Sequence, residues 1–360
     1  MLIFLCLIFV IYLYFVFWLL TGINKAAEFS ITQTVGDYHQ FSIIIAAHNE
    51  ESVIQDTLSD LVHQDYSRNN YQIIVVLDRC TDGTREIARK ISSLHNNIEL
   101  IEIKKVAEGV SPKKYALQKG IQKARYDYLI LMDADCRSEP EYLKTINAYF
   151  QAGAEVLLNI PKFKPVRNFL YRYILPERLI TWSIAAAGIG RKKPFLAFGT
   201  TWAYTRAIYE KAGGFEKFGD SLSGDDDLLI YQMGKLKPEM AVCTNPGGWG
   251  ITRIPHNLSD YFIQRRRHHS AGKFYAAEVK LGYAIFHISN FALWILPFFY
   301  LPGIAVLFAK LIVDYQVMKR AGGLFAEDVT LLNFFIFEIG YLLHHIFIAP
   351  LGFIGKIKWR

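Results

Sequence analysis

YLILMDAD, residues Tyr128 to Asp135, is a short apolar run that ends in two carboxylates one residue apart. A buried strand of an open α/β sheet looks like this, and such sheets bind ligands outside the carboxyl ends of their strands. Reading backward, Lys113 to Arg125 has a helical pattern, Glu99 to Ile103 is a short strand and Thr84 to about Leu94 is a helix. Gln72 to Leu77 (QIIVVL) and Gln40 to Ala47 (QFSIIIAA) are strands rich in β-branched residues. Between those two, Val53, Ile54, Leu58, Leu61 and Val62 recur at three- and four-residue spacing, which buries one face of a helix against the sheet. Reading forward, Glu155 to Ile160 adds a further strand. This alternation predicts right-handed crossovers and an α/β, Rossmann-like domain with a mainly parallel sheet covered on both faces.

The ends of the chain have a different character. Met1 to Leu20 carries no charge, and about 20 apolar residues at 1.5 Å each cross a bilayer core. A transmembrane anchor over residues 1–22 is expected rather than a cleaved signal, because no basic segment precedes the run and it exceeds a usual signal core. Two further apolar stretches, Gly282 to Ala309 and Val329 to Phe353, predict a C-terminal transmembrane region over 281–355 with two or three crossings. Pro297 and Pro302 allow either one kinked span or a hairpin. Lys310 and Asp314, one helical turn apart, would pair if buried in lipid.

With 360 residues, 52% hydrophobic and 15% aromatic, the chain has room for one large catalytic domain, assigned here to residues 38–275, besides the membrane segments. Within it, residues 161–194 interleave Lys162, Lys164, Arg167, Arg172 and Arg178 with Phe163, Phe169, Tyr171, Tyr173 and Trp182. An interfacial helix that snorkels its cations explains that mixture, and an ordinary helix with one packed face is the alternative. Cys6, Cys80, Cys136 and Cys243 show neither zinc spacing nor a disulfide framework, as in a reducing compartment. Lys25 is the first charge after the anchor, which places the domain on the cytoplasmic side, in a bacterial inner membrane. The net charge of +7 suits anionic headgroups and a diphosphate substrate better than nucleic acid, given the apolar ends.

Four clusters carry the chemistry. Asp78 ends a strand, where its carboxylate can accept the imide hydrogen of uracil, a donor that cytosine lacks; capping the next turn is the alternative. Asp133 and Asp135 offer hard oxygen ligands to magnesium or manganese, which would neutralise charge on a leaving diphosphate, with Asp135 the principal ligand. Asp225, Asp226 and Asp227 form an acidic run in which a carboxylate could deprotonate an acceptor hydroxyl, or which could simply begin a helix. Gln264 precedes Arg265, Arg266 and Arg267, a basic group suited to diphosphate oxygens or to lipid headgroups.

In order, the motifs FSIIIAAHNEE, VVLDRCTDGT, SPKKYALQKGI, LILMDADC, FGTTWAYTRAIYEKAGGF, SGDDDLL and QRRRHHSAGK resemble those of membrane-bound family 2 glycosyltransferases. The resemblance covers roughly Gln40 to Lys273 and implies a GT-A fold. It implies that Asp78 binds the nucleoside, with Ala46, Ala47 and Glu50 as the rest of its floor, and that Asp82 and Gly83 shape the turn. It also implies that the loop of Lys113 and Lys114 approaches the donor, Lys114 being the residue chosen here. Aligning the family's trailing Asp-Leu on Asp227-Leu228 makes Asp225 the catalytic base, with Asp226 a substitute. Gln264 and Arg267 match the family's Q-x-x-R-W motif except that His268 stands in place of tryptophan.

The expected activity is an inverting, metal-dependent transfer from a nucleotide-sugar, UDP-linked, to a lipid-linked or membrane-proximal hydroxyl. The first alternative is a processive polysaccharide synthase with a transmembrane export path, which His268 disfavours. The second is a catalytically silent membrane protein that binds nucleotide or acts as a scaffold.

Overall fold

A computed structural model describes residues 1–31, 38–166, 168–216, 224–255 and 257–354, so Arg167, Ser223 and residue 355 lie outside the described residues. The chain divides into two compact units. One holds Phe29–Lys164 and Lys192–Ile254, the other Met1–Glu28, Pro165–Arg191 and the chain from Pro255 onward.

Among the described residues the first unit has ten strands: β1 Phe41–Ala47, β2 Tyr71–Asp78, β3 Ile98–Ile103, β4 Tyr128–Asp133, β5 Arg137–Ser138, β6 Val156–Leu158, β7 Pro161–Phe163, β8 Thr201–Thr205, β9 Met240–Val242 and β10 Gly250–Thr252. Seven form one sheet in the order β3-β2-β1-β4-β8-β6-β9, and β5, β10 and β7 form a small second one. β1 runs parallel to both β2 and β4, β2 is parallel to β3, and β6 is parallel to β9; β8 is antiparallel to its neighbours β4 and β6. Every residue of β2 is buried, as expected of a strand covered on both faces, and Ile43, Ile44 and Ile45 of β1 are fully enclosed. The sheet is the mainly parallel α/β arrangement that the alternating pattern predicts.

Helices cover the sheet closely. Ile54–Val62 buries Ile54, Thr57, Leu58, Leu61 and Val62, and Pro112–Lys123 begins with proline at its first position, where the missing N–H costs nothing. Gly120 brings the second helix against the sheet, since a Cβ there would stand 2.4 Å from Ile44 Cγ2.

In the second unit, three helical segments among the described residues are long and apolar enough to cross a membrane: Leu2–Ala27, Ala277–Phe298 and Leu331–Phe353. Large side chains on them stay exposed, among them Ile3, Phe17, Ile288, Phe298 and Phe347, as a lipid-facing surface requires. A fourth long helix, Gly303–Leu324, carries Lys310. Its ammonium lies 2.7 Å from Asp314 and 2.5 Å from Glu338, and the Tyr12 hydroxyl donates to Asp314. The sequence spacing anticipated the first of these partners and not the other two, which come from separate helices.

The Phe169–Gly190 helix also differs from expectation. The interfacial reading put its aromatic and basic residues at a surface, but Trp182 is fully enclosed, Arg178 is buried, and Glu177 accepts from buried Arg265 at 3.1 Å. Apolar residues lie all round this helix, so burial on most sides, not one wet face, is its stable placement. At its end Gly190 meets Gly22 of Leu2–Ala27 so closely that a Cβ on Gly190 would be 2.1 Å from the Gly22 carbonyl oxygen. The helical unit also takes residues 255–275, which the sequence reading had joined to the sheet domain.

Candidate active site

The order of strands locates the site before any side chain is considered. Chain order runs outward from β1 to β2 and β3 on one side and to β4 on the other, so β1 and β4 border the point where the winding reverses. Open α/β sheets leave a crevice there, at the carboxyl ends. Register puts Ala46 of β1 opposite Asp133 of β4, and Ala47 opposite Leu77, one residue before Asp78. Ala46, Ala47, Asp78 and Asp133 are therefore neighbours at one sheet edge.

Two loops at this edge lock together. Asn49, which adopts a left-handed φ of 57° that asparagine tolerates, accepts from Thr81 N–H at 2.8 Å. Glu51 accepts from Gly83 N–H at 2.8 Å, and Asp82 accepts from Glu51 N–H at 3.1 Å and from the Thr84 hydroxyl at 2.6 Å. Asp82 and Gly83 thus hold the turn. Behind Asp133, the Thr57 hydroxyl donates to the Ala134 carbonyl at 2.7 Å and Asp133 N–H donates to Thr200 O at 2.9 Å, which fixes the D-x-D turn against a helix and a strand connection.

The acidic groups converge on one lysine. Lys113 Nζ lies 2.8 Å from Asp133 Oδ1 and 3.0 Å from Asp225 Oδ2, with its side chain 16% exposed. It stands in the first turn of Pro112–Lys123, where the helix dipole disfavours a cation, so the two carboxylates hold it there. Burial works against the lysine's charge, but Asp133 and Asp225 outweigh it and raise its pKa. Conversely, burial opposes ionisation of Asp225, and the Lys113 ammonium overcomes this and holds the carboxyl below its ordinary value. Lys114, the residue selected from the sequence, is buried and makes a lesser contribution to Asp225. Lys113 bridges the two acidic clusters.

Asp226 is placed differently. Its Oδ2 accepts from Gly199 N–H at 2.7 Å and its Oδ1 from Asp227 N–H at 2.8 Å, capping the helix Asp227–Lys235. Asp227 in turn accepts from Ala197 N–H at 2.9 Å. Burial and the adjacent Asp225 push the Asp226 pKa up to about 6. Asp135 is likewise raised to about 6 by burial and Asp133, and Glu50 to about 7 by burial together with Asp135 and Asp133. Exposed Arg253, which the sequence reading did not single out, partly offsets the charge on Asp135.

Asp78 is not a bare carboxylate. Arg79 donates to both of its oxygens, at 2.8 Å each, and Arg79 itself has a left-handed φ of 50°. Gln264 and Arg267 lie on Leu258–Ser270, a helix of the other unit. Next to them, burial and the neighbouring arginines 265 and 267 hold His268 far below the usual imidazole range, so it is a neutral group.

The hard-oxygen set of Asp133 and Asp135 fits magnesium or manganese, and the raised pKa values of Asp135 and Glu50 mark an excess of negative charge that a cation would relieve. Among the described residues, no three His, Cys, Asp or Glu groups gather into a ready-made cage. A metal here would need further oxygens from its substrate.

The model of glycosyl transferase family 2 matches residues 42–213. The chain is 27% identical over 241 residues to a Bacillus subtilis protein named "Probable glycosyltransferase YdaM", covering 64% of this chain and 57% of that one. It is 30% identical over 125 residues to poly-beta-1,6-N-acetyl-D-glucosamine synthase of Staphylococcus aureus, covering 35% of this chain and 28% of the synthase. The matched stretch is thus a little over half of the first relative's length and less of the second's. In structure, the chain is similar to a mannosyltransferase from Pyrobaculum calidifontis solved with GDP-Man and Mn2+, with a TM-score of 0.54 at 15% identity over 96% of this chain and 94% of the other. That likeness shows a common GT-A fold.

Proposed function

We propose that this chain, which matches the model of glycosyl transferase family 2 over residues 42–213, transfers a sugar from a nucleotide donor, UDP-linked, to a hydroxyl on a lipid-linked or membrane-proximal acceptor. The observation that carries this reading is the meeting of Asp133 and Asp225 on Lys113 at the switch point of the sheet. A scaffold has no need to gather three partly buried charges at that edge.

In this reading Asp225 takes the proton of the acceptor hydroxyl as the oxygen bonds to the anomeric carbon with inversion. It is the better candidate because Asp226 spends both oxygens on backbone N–H groups. Asp133 and Asp135 would hold a magnesium or manganese ion, which when bound offsets the charge on the leaving diphosphate. Lys113 stands within reach of the same oxygens and supplies a second positive charge as the nucleoside diphosphate departs. Ala46, Ala47 and Glu50 line the floor beside Asp78, which with Arg79 reads the base. The role of Gln264 and Arg267 on the leaving group rests on the motif resemblance alone.

The three apolar helices support an acceptor held at the bilayer, and Lys25 supports a cytoplasmic sheet unit. A relative named as a poly-beta-1,6-N-acetyl-D-glucosamine synthase favours a second reading, processive polymer synthesis, while His268 favours single transfers. Release of nucleoside diphosphate by the full chain in nanodiscs, scanned across donors with membrane lipid extracts and Mn2+ or Mg2+, tests the assignment, and product length separates the two readings. Turnover that persists in Asp135→Ala would overturn the metal site.

A further inference from the structure

The metal ligands proposed above already have a cation among them. Lys113 Nζ occupies hydrogen-bonding positions on Asp133 and Asp225, and the side chain is largely withdrawn from water. A magnesium or manganese ion bound by Asp133 would stand about 2.0–2.2 Å from a carboxylate oxygen. Held within a few ångströms of one another at low dielectric, the ammonium and a divalent ion repel strongly. Both fit only if Lys113 gains another anionic partner.

Three further observations bear on where that partner comes from. Among the described residues no three-ligand cage is present, and the Asp133 and Asp135 pair leaves coordination positions that outside oxygens can fill. Lys113 is in the first turn of a helix, with backbone N–H groups and a dipole that favour an arriving anion over the cation resident there. Gly199 lies directly against this node: a Cβ there would stand 3.2 Å from Lys113 Nζ and 3.3 Å from Asp225 Oδ2, so any side chain would crowd the lysine and its acids.

We propose that Lys113 is a resident counter-ion that holds the divalent metal off Asp133 until a nucleoside diphosphate draws its ammonium away, so that metal and donor bind cooperatively. The inference rests on the glycosyltransferase reading and adds an order to it. Without donor, the acids are neutralised by the chain itself and free metal binds weakly. With donor, the ammonium moves onto phosphate oxygens, the two carboxylates are released to the metal and to the acceptor hydroxyl, and the base regains basicity that the ammonium had suppressed. Lys113 is thus a positioning residue for the metal as well as a partner of the diphosphate.

The test is Mn2+ binding by the full-length protein in nanodiscs, followed by water-proton relaxation, with and without UDP or GDP. Wild type should bind Mn2+ at least about tenfold more tightly when the nucleotide is present, within the usual range of coupling between two ligands. Lys113→Met should bind Mn2+ alone about tenfold more tightly than wild type and lose most of the coupling, whereas Lys113→Arg, which keeps the charge, should behave like wild type. Equal Mn2+ affinity in wild type with and without nucleotide overturns the proposal even if Lys113→Met fails to fold, and leaves the glycosyltransferase reading intact provided that donor turnover persists. Failure of UDP, GDP and their sugar conjugates to bind at all, with metal present, overturns the glycosyltransferase reading itself.

Discussion

Replacing Asp225 and Asp226 one at a time should separate a proton acceptor from a structural cap. Asp226→Ala removes a helix N-cap, worth about 0.5–2 kcal/mol, and takes the partner from Gly199 N–H, worth about 1–3 kcal/mol if no water replaces it. Against this, the charged form of Asp226 is disfavoured by burial and by Asp225, which raise its pKa from 3.8 to about 6. A rise of that size corresponds to about 3 kcal/mol at neutral pH, and truncation recovers part of it. The net loss should be about 1–2 kcal/mol near neutrality, a fall of a few degrees in thermal midpoint.

The sign of the pH dependence follows. Because the folded pKa is raised, protonation of Asp226 stabilises the fold below about 6, and this contribution disappears as pH rises through that value. Wild type has it and Asp226→Ala does not, so the difference between them should be larger at about pH 5 than at about pH 8. Asp225→Asn should behave in the opposite manner: an amide cannot take the acceptor proton, so turnover should fall roughly 100- to 10,000-fold, while the thermal midpoint moves little because Lys113 keeps Asp133. Nucleoside diphosphate release and thermal unfolding of the solubilised protein, run in parallel on both variants, read the two effects. Turnover retained within about tenfold in Asp225→Asn but lost in Asp226→Ala would refute the assignment of the base.

Other consequences concern charge and close packing. Glu50 and Asp135, raised to about 7 and about 6, must lose protons to serve a cation, so binding of Mn2+ with UDP should release protons at pH 6 and fewer at pH 8; calorimetry in buffers of different ionisation enthalpy measures the number. By the same raised values, the metal-free protein should lose thermal stability as pH rises from about 5 to about 8. Gly190→Ala forces a Cβ to within 2.1 Å of the Gly22 carbonyl oxygen and should cost about 1–3 kcal/mol, seen as lower thermal stability in detergent with donor affinity little changed. Lys310→Met leaves Asp314 and Glu338 buried without their cation and should cost about 3–5 kcal/mol, enough to cut the yield of folded protein, and Lys310→Arg should recover much of it.

Much of this protein is written in local pattern. The strands from Phe41 to Asp133 and the helices between them follow from runs of apolar residues and their spacing, because burial on both faces of a parallel sheet leaves few other ways to place them. The same reasoning put Asp78 and Asp133 at strand ends, and a four-residue separation anticipated the pairing of Lys310 with Asp314. What the pattern does not contain is distance between groups far apart in the chain. Lys113 meets Asp225 across more than a hundred residues, a pairing that no local spacing expresses. Arg79 occupies both Asp78 oxygens, and Glu338 joins Lys310 from another helix, neither of which any spacing rule expresses. Periodicity and composition therefore determined which segments form strands and helices, and which helices are apolar enough to cross a membrane. Only the tertiary structure decided which charges neutralise one another, because electrostatic energy depends on separation and burial in space, and these exist only once the chain has packed.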